Sequence, residues 1–258
     1  MPLAFVEVKK PNNHDGIFGG TRPDQRALQE FRKFRKFVNI SQILVFSNNM
    51  EYDADTIETI QGVFYSTTSF SEANFNYFRE EEDFDLPVLL KPEDDDLENF
   101  VLKDNNLSII KHSPEFITNK DPNNPTNRVL TSLFSKERLA MLLRYGIAYV
   151  KGESGLEKHI MRYPQLFATR AIERKLDEGG KKGIIWHTQG SQNRACFYNV
   201  PYLTDYFHRK GIVPKFYFIV DRIDLMNQAR REFTSRGWRE YGQFKGRLAE
   251  KFQVEAGG

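Results

Sequence analysis

Apolar positions fall into two periods along this chain, and each period predicts an element. Ala4–Val8 is a short, β-prone apolar run and reads as a strand. Pro11 to Gly16 and Gly19-Gly20 form a loop. Asp24 can cap a helix running to about Phe37. Leu28, Phe31, Phe34 and Phe37 form its apolar stripe, with Arg32, Lys33, Arg35 and Lys36 beside it. Ile43–Ser47 is a second buried strand, ended by Asn48-Asn49, and Val63–Ser66 a third. Strand, helix and strand in this order predict an α/β core.

Asp121-Pro122-Asn123-Asn124-Pro125-Thr126-Asn127 breaks the pattern, and a domain boundary is expected between residues 120 and 150, drawn at 125/126. Helices follow at Lys136–Tyr145 and Gln165–Leu176. Then come strand Gly183–Trp186, helix Phe197–Arg209, strand Lys215–Val220 and helix Leu225–Phe233. This repeating βαβα pattern implies a parallel sheet with helical crossovers, incomplete because only two strands are present. No internal repeat is visible. Residues 79–98 are acidic, readable as a solvated linker with a helix N-terminus or as a metal-binding cluster.

With 258 residues and 40% hydrophobic content, one large or two modest domains can form. The net charge of +2 excludes global basic character, so a nucleic-acid surface has to be local. Lys9, Lys10 and the basic side of the helix from Arg32 to Lys36 are candidates. The single cysteine, Cys196, excludes an internal disulfide and a Cys-rich zinc site, and suits a reducing compartment. With no membrane-length apolar run and no signal peptide, a soluble cytoplasmic protein is expected.

Glu7 and Lys9 stand two residues apart on a strand, so both project from one face while Val6 and Val8 enter the other layer. Such a pair is either a solvent-facing salt bridge or part of a metal-dependent nuclease. In the second case Glu7 binds Mg²⁺ and Lys9 orients the attacking water. A second carboxylate is then required, and none precedes Glu7.

Gly183 to Ser191 reads as the strand and loop that open a phosphate site, but Gln192-Asn193-Arg194 follow in place of Gly-Lys-Thr. Arg194 can still attract phosphate. The lysine and the Mg²⁺-binding hydroxyl are missing, and Gln192 removes a glycine the tight turn needs, so tight ATP binding and hydrolysis are not expected. Gln165 either hydrogen-bonds an adenine edge or lies at an exposed first turn. Asp221 and Arg222 end a buried strand, where open α/β sheets place ligand contacts, or serve as a helix cap and a solvated cation.

These residues together resemble the restriction (R) subunit of type I restriction–modification enzymes. Leu3 to Pro11 looks like the E-x-K strand of its PD-(D/E)xK nuclease domain, and Phe46–Asn49 and Gly62–Tyr65 like later parts of it. His159–Gln165 resembles the entry to its superfamily-two helicase motor, Gly183–Ser191 the approach to its Walker A loop, and Val220–Leu225 the motif after it. The resemblance implies a PD-(D/E)xK-like mixed sheet with flanking helices at 1–125 and the start of a RecA-like parallel α/β domain at 126–258, with both domains truncated.

It implies a type I site-specific deoxyribonuclease that cleaves double-stranded DNA with Mg²⁺, driven by ATP-dependent translocation. Modification (M) and specificity (S) subunits are its partners, and no membrane is involved. Glu7 and Lys9 match nuclease residues, with Glu7 the metal ligand. Gln165 matches the adenine-side glutamine; Thr188, Gln189, Gly190 and Ser191 match the start of the phosphate loop, with Arg194 beside it. The first catalytic Asp, Gly-Lys-Thr, the DEAD-type carboxylates and a clear Gln-x-x-x-Tyr are absent. A catalytically degenerate module that only binds DNA or subunits is the competing expectation.

Overall fold

The computed structural model describes residues 3–8, 41–53, 59–68, 75–91, 93–152, 155–186, 192–219, 222–237, 240–241 and 252–254, with Lys33, Lys36 and Ile40. The chain is mixed α/β and divides into two compact units, Met1–Met141 and Leu142–Gly258.

The first unit is built on a mixed sheet of four strands in the order β1-β2-β3-β4: β1 Ala4–Val8, β2 Ile43–Asp53, β3 Thr59–Ser66 and β4 Asn76–Tyr77. β1 pairs parallel to β2, setting Glu7 opposite Phe46, and the other pairs are antiparallel. A parallel pair needs a crossover. Lys33 and Lys36 are helical there; the rest of the expected helix 24–37 lies outside the described residues.

Two expectations change here. Asn48-Asn49 do not end β2, because an irregularity between Ser47 and Glu51 absorbs them and pairing resumes. Val6 and Val8 are exposed, and the Glu7 side of β1 is the more covered one. Ile43, Val45, Val63, Tyr65 and Phe78 form one buried layer, with Tyr65 and Phe78 edge to face, and Leu44 and Phe46 are buried on the opposite face.

Five short helices follow: α1 Leu86–Leu89, α2 Asp95–Asp104, α3 Pro114–Lys120, α4 Pro125–Ser132 and α5 Lys136–Met141. Their starts share one chemistry. Asp85, Asp94, Ser113 and Asn124 accept a backbone N–H from the first turn, and proline stands in the first turn of α1, α3 and α4. Helix α4, expected to open the second domain, packs in the first unit on β2 and β3, with Thr126 and Ser47 sharing a buried 2.5 Å hydrogen bond.

The acidic run 80–83 is not wholly solvated. Arg138 of α5 is 1% exposed and binds Glu80 at 2.5 and 3.1 Å and Glu82 at 2.7 Å, and its guanidinium lies 4.3 Å from the Phe84 ring centre. Burying a cation this deeply requires such partners.

The second unit opens with a π-helical turn at Leu142–Gly146 and a hairpin of β5 Ile147–Gly152 with β6 Gly155–Ile160. Helices α6 Tyr163–Asp177, α7 Gln192–Arg209 and α8 Ile223–Ser235 follow, with β7 Tyr217–Phe218, β8 Glu240–Tyr241 and β9 Phe252–Val254. Phe233 of α8 packs on Phe197 of α7 and on Phe218, at ring distances of 4.2 and 4.9 Å.

The expected parallel sheet is not found among the described residues. Residues 183–186 pair with no strand; Ile184 and Trp186 are 92% and 93% exposed. The expected strand 215–220 reduces to Tyr217–Phe218, antiparallel to Phe252–Val254. A strand forms only where a neighbour satisfies its backbone groups, and without one an apolar segment stays single and hydrated.

Candidate functional site

Helices α6 and α7 carry the second unit's candidate chemistry, joined by a ladder of polar contacts. Thr169 bonds the Asn199 side chain, Tyr202 donates to Glu173 at 2.5 Å, and Tyr206 donates to Asp177 at 2.6 Å. Lys210 reaches Asp177 at 2.7 Å. The partners rise together along both helices, so α6 and α7 run in the same direction. On α6 the rungs stand four residues apart, which keeps them on one face.

This direction places both helix starts at one end. Tyr163 is six residues before Thr169 and Gln192 seven before Asn199, roughly 9 and 10 Å of helix. The helices therefore begin level. Gln165 lies at the start of one, and the run Thr188–Ser191 leads directly into the other. The aligned dipoles of two helix starts make that end favourable for anions, although at the α6 start the N–H groups of Gln165 and Leu166 are taken up by the Arg162 carbonyl and that of Arg162 by the Gln165 side chain.

Helix α7 starts at Gln192 rather than Phe197, so Gln192, Asn193 and Arg194 form its first turn. The Arg194 side chain lies outside the described residues, as do Thr188, Gln189, Gly190, Ser191, Lys9 and Asp221.

Gln165 is not at an exposed first turn. It is 2% exposed, and its Oε1 accepts the Arg162 N–H at 2.9 Å. This is the third-residue half of a capping box, at a helix start that also holds Pro164. Thr169 Oγ1 lies 2.8 Å from the Gln165 carbonyl. Any base contact by Gln165 has to coexist with this cap. Arg222 takes the N-cap position of α8 without a side-chain cap bond.

Both helices end on glycine. The N–H groups of Gly179 and Gly180 bond the carbonyls of Leu176 and Lys175, with Gly179 at φ +79°. Gly211 ends α7 in the same way at φ +72°, the Ile212 N–H reaching the Phe207 carbonyl.

Electrostatics separates the units. The first holds 16 Lys and Arg against 23 Asp and Glu, the second 21 against 12. The near-neutral total conceals this division, which sequence reading missed by summing over the whole chain. In the ladder, burial followed by the bond to Glu173 pushes the Tyr202 hydroxyl well above its ordinary range. Burial and Asp205 raise Tyr145 in the same way, while bonds from Lys210 and Tyr206 lower Asp177.

In the first unit Glu7 lies on edge strand β1. Among the described residues no group of three or more His, Cys, Asp or Glu gathers as metal ligands. A Mg²⁺ site needs several oxygen ligands, so no cleavage step through a metal follows from the described residues. Among the described residues no helix is long and apolar enough to cross a membrane.

Residues 164–255 match the SWI2/SNF2 ATPase family. That stretch contains Gln165 and the run 188–194. The chain is also 36% identical over 107 residues to a protein of Methanocaldococcus jannaschii provisionally named type I restriction enzyme MjaVIIP endonuclease subunit. That similarity covers 38% of this chain and 10% of the relative, so the chain matches about a tenth of the relative's length. No solved structure matches the chain. The chain is thus similar, in part, to helicase-like restriction proteins, and a restriction- or helicase-related role is supported.

Proposed function

We propose that the chain is the nuclease-and-motor-entry part of an R subunit of a type I restriction–modification system. The observation that carries this reading is the level start of α6 and α7, which sets Gln165 and the backbone of Gln192, Asn193 and Arg194 at one end of a parallel helix pair. The SWI2/SNF2 similarity over the same residues supports it.

In this reading Gln165 lies on the adenine side. Thr188, Gln189, Gly190, Ser191 and Arg194 face the phosphates, and the two helix starts supply positive dipole ends. Glu7 and Lys9 belong to the strand of a PD-(D/E)xK-like nuclease unit, and the second unit is the start of a RecA-like motor. Double-stranded DNA is the substrate, M and S subunits are the partners, and ATP and Mg²⁺ are the cofactors of the whole machine.

Gln192-Asn193-Arg194 leave nucleotide binding weak and hydrolysis absent. A fluorescent ATP analogue is expected to bind weakly, and more weakly after Arg194→Ala. No binding even at millimolar nucleotide would remove the nucleotide site. ATP turnover above a protein-free control, lost in Arg194→Ala, would refute the loss of hydrolysis.

A second reading, a non-catalytic DNA- or subunit-binding module, is favoured because no group of three or more His, Cys, Asp or Glu gathers as metal ligands among the described residues. It predicts salt-sensitive DNA binding without cleavage. Plasmid cutting with Mg²⁺ that disappears in Glu7→Ala would sink it.

A further inference from the structure

Helix α2 is mounted with its apolar side outward. Leu97, Phe100 and Val101 follow the i, i+3, i+4 spacing of one helical face, and all three are exposed, Phe100 by 69%. An amphipathic helix on a core turns this stripe inward. Here polar contacts hold the other side down. Glu98 pairs with Lys120 and, at 3.5 Å, with Lys111. Lys111 also reaches Asn99 at 2.7 Å and Asp95 at 3.3 Å. Leu102 is the buried apolar residue of this helix. The next turn keeps Leu107 and Ile109 outside as well, Ile109 by 90%.

The rim of the stripe is acidic, with Glu93, Asp94, Asp95 and Asp96 at one end and Asp104 at the other, all exposed. We infer that this face of α2 is a docking surface for a partner protein whose contact face carries Lys or Arg around apolar side chains. The carboxylates repel nucleic acid and anionic lipid, so charge complementarity selects a basic protein surface. Exposed apolar side chains ringed by polar ones mark protein contacts. The inference is independent of the nuclease and motor reading.

The test uses the full chain and a labelled designed helical peptide with a leucine stripe flanked by lysines, followed by fluorescence anisotropy. Controls are the same peptide with glutamates for lysines, and a lysine–leucine peptide scrambled to remove the stripe. The lysine-flanked peptide is expected to bind, more weakly at high salt. Leu97→Ser and Phe100→Ser should each weaken it about tenfold. Both positions are exposed, and unchanged thermal unfolding would show the variants fold. Equal binding of the scrambled peptide, or binding insensitive to both variants, overturns the inference. So does self-association of the chain that either variant abolishes, since the stripe would then be covered by a second copy.

Discussion

Thr169 on α6 bonds Asn199 on α7, thirty residues onward, inside the second unit. Both are buried, and the contact is one rung of the ladder that aligns the two helices. Thr169→Val removes the hydroxyl and leaves Asn199 short of a partner. A loss of about 1–3 kcal/mol is expected in urea unfolding, with Thr169→Ser close to the parent.

Gln165 should behave first as a cap. Its Oε1 holds the Arg162 N–H from a buried position. Gln165→Ala is expected to cost about 1–2 kcal/mol in the same measurement. If Gln165 also faces adenine, fluorescent ATP binding should fall in this variant while binding of inorganic tripolyphosphate does not.

Tyr202 makes the second unit sensitive to alkali. Its folded-state pKa lies above the ordinary 10.0, through burial and Glu173. The raised value favours the folded state fully below pH 10, and the advantage fades as pH rises through the folded value. Urea midpoints should drop from pH 10 upward, and Tyr202→Phe should flatten part of that slope.

Glu98 has the opposite sign. The bond from Lys120 is the first cause that lowers its pKa below 4.5. Its contribution is present above that value and is lost as pH falls through the lowered one. As pH falls below 4.5 the urea midpoint of the first unit should decline, less steeply in Glu98→Gln.

Arg138 holds two carboxylates out of water. Arg138→Met strands Glu80 and Glu82 and should cost about 3–5 kcal/mol, read as a lower denaturation midpoint. Adding Glu80→Gln and Glu82→Gln to that variant should recover part of the loss.

Local periodicity made β1, β3 and the helices near 136, 165 and 225 legible, because their apolar positions repeat within a few residues. The helices at 95, 114 and 125 carried an equally plain signal, an Asp, Ser or Asn cap with proline in the first turn of two of them. The start near 95 is legible as the helix N-terminus of the acidic run, whereas the Asn- and Pro-rich run 121–127 reads as a break and hides the helix at 125. The hairpin β5–β6 was signalled by Gly152 and Gly155 between alternating runs. Strand pairing at 183–186 was not legible, since an apolar run does not carry its neighbour within it. Gln165 was legible as a motif position, but its burial depends on contacts distant in sequence.

The shared direction of α6 and α7 has a kinetic consequence. Antiparallel neighbours close from their turn, as β5–β6 can. Here the chain must first travel back along α6, through 178–191, before the first rung at Asn199 can meet Thr169. Contacts this remote carry a loop-closure cost before they give any stability. The hairpin should therefore form early and the helix pair late. Weakening the Thr169–Asn199 contact should then mainly quicken unfolding, with little change in the refolding rate.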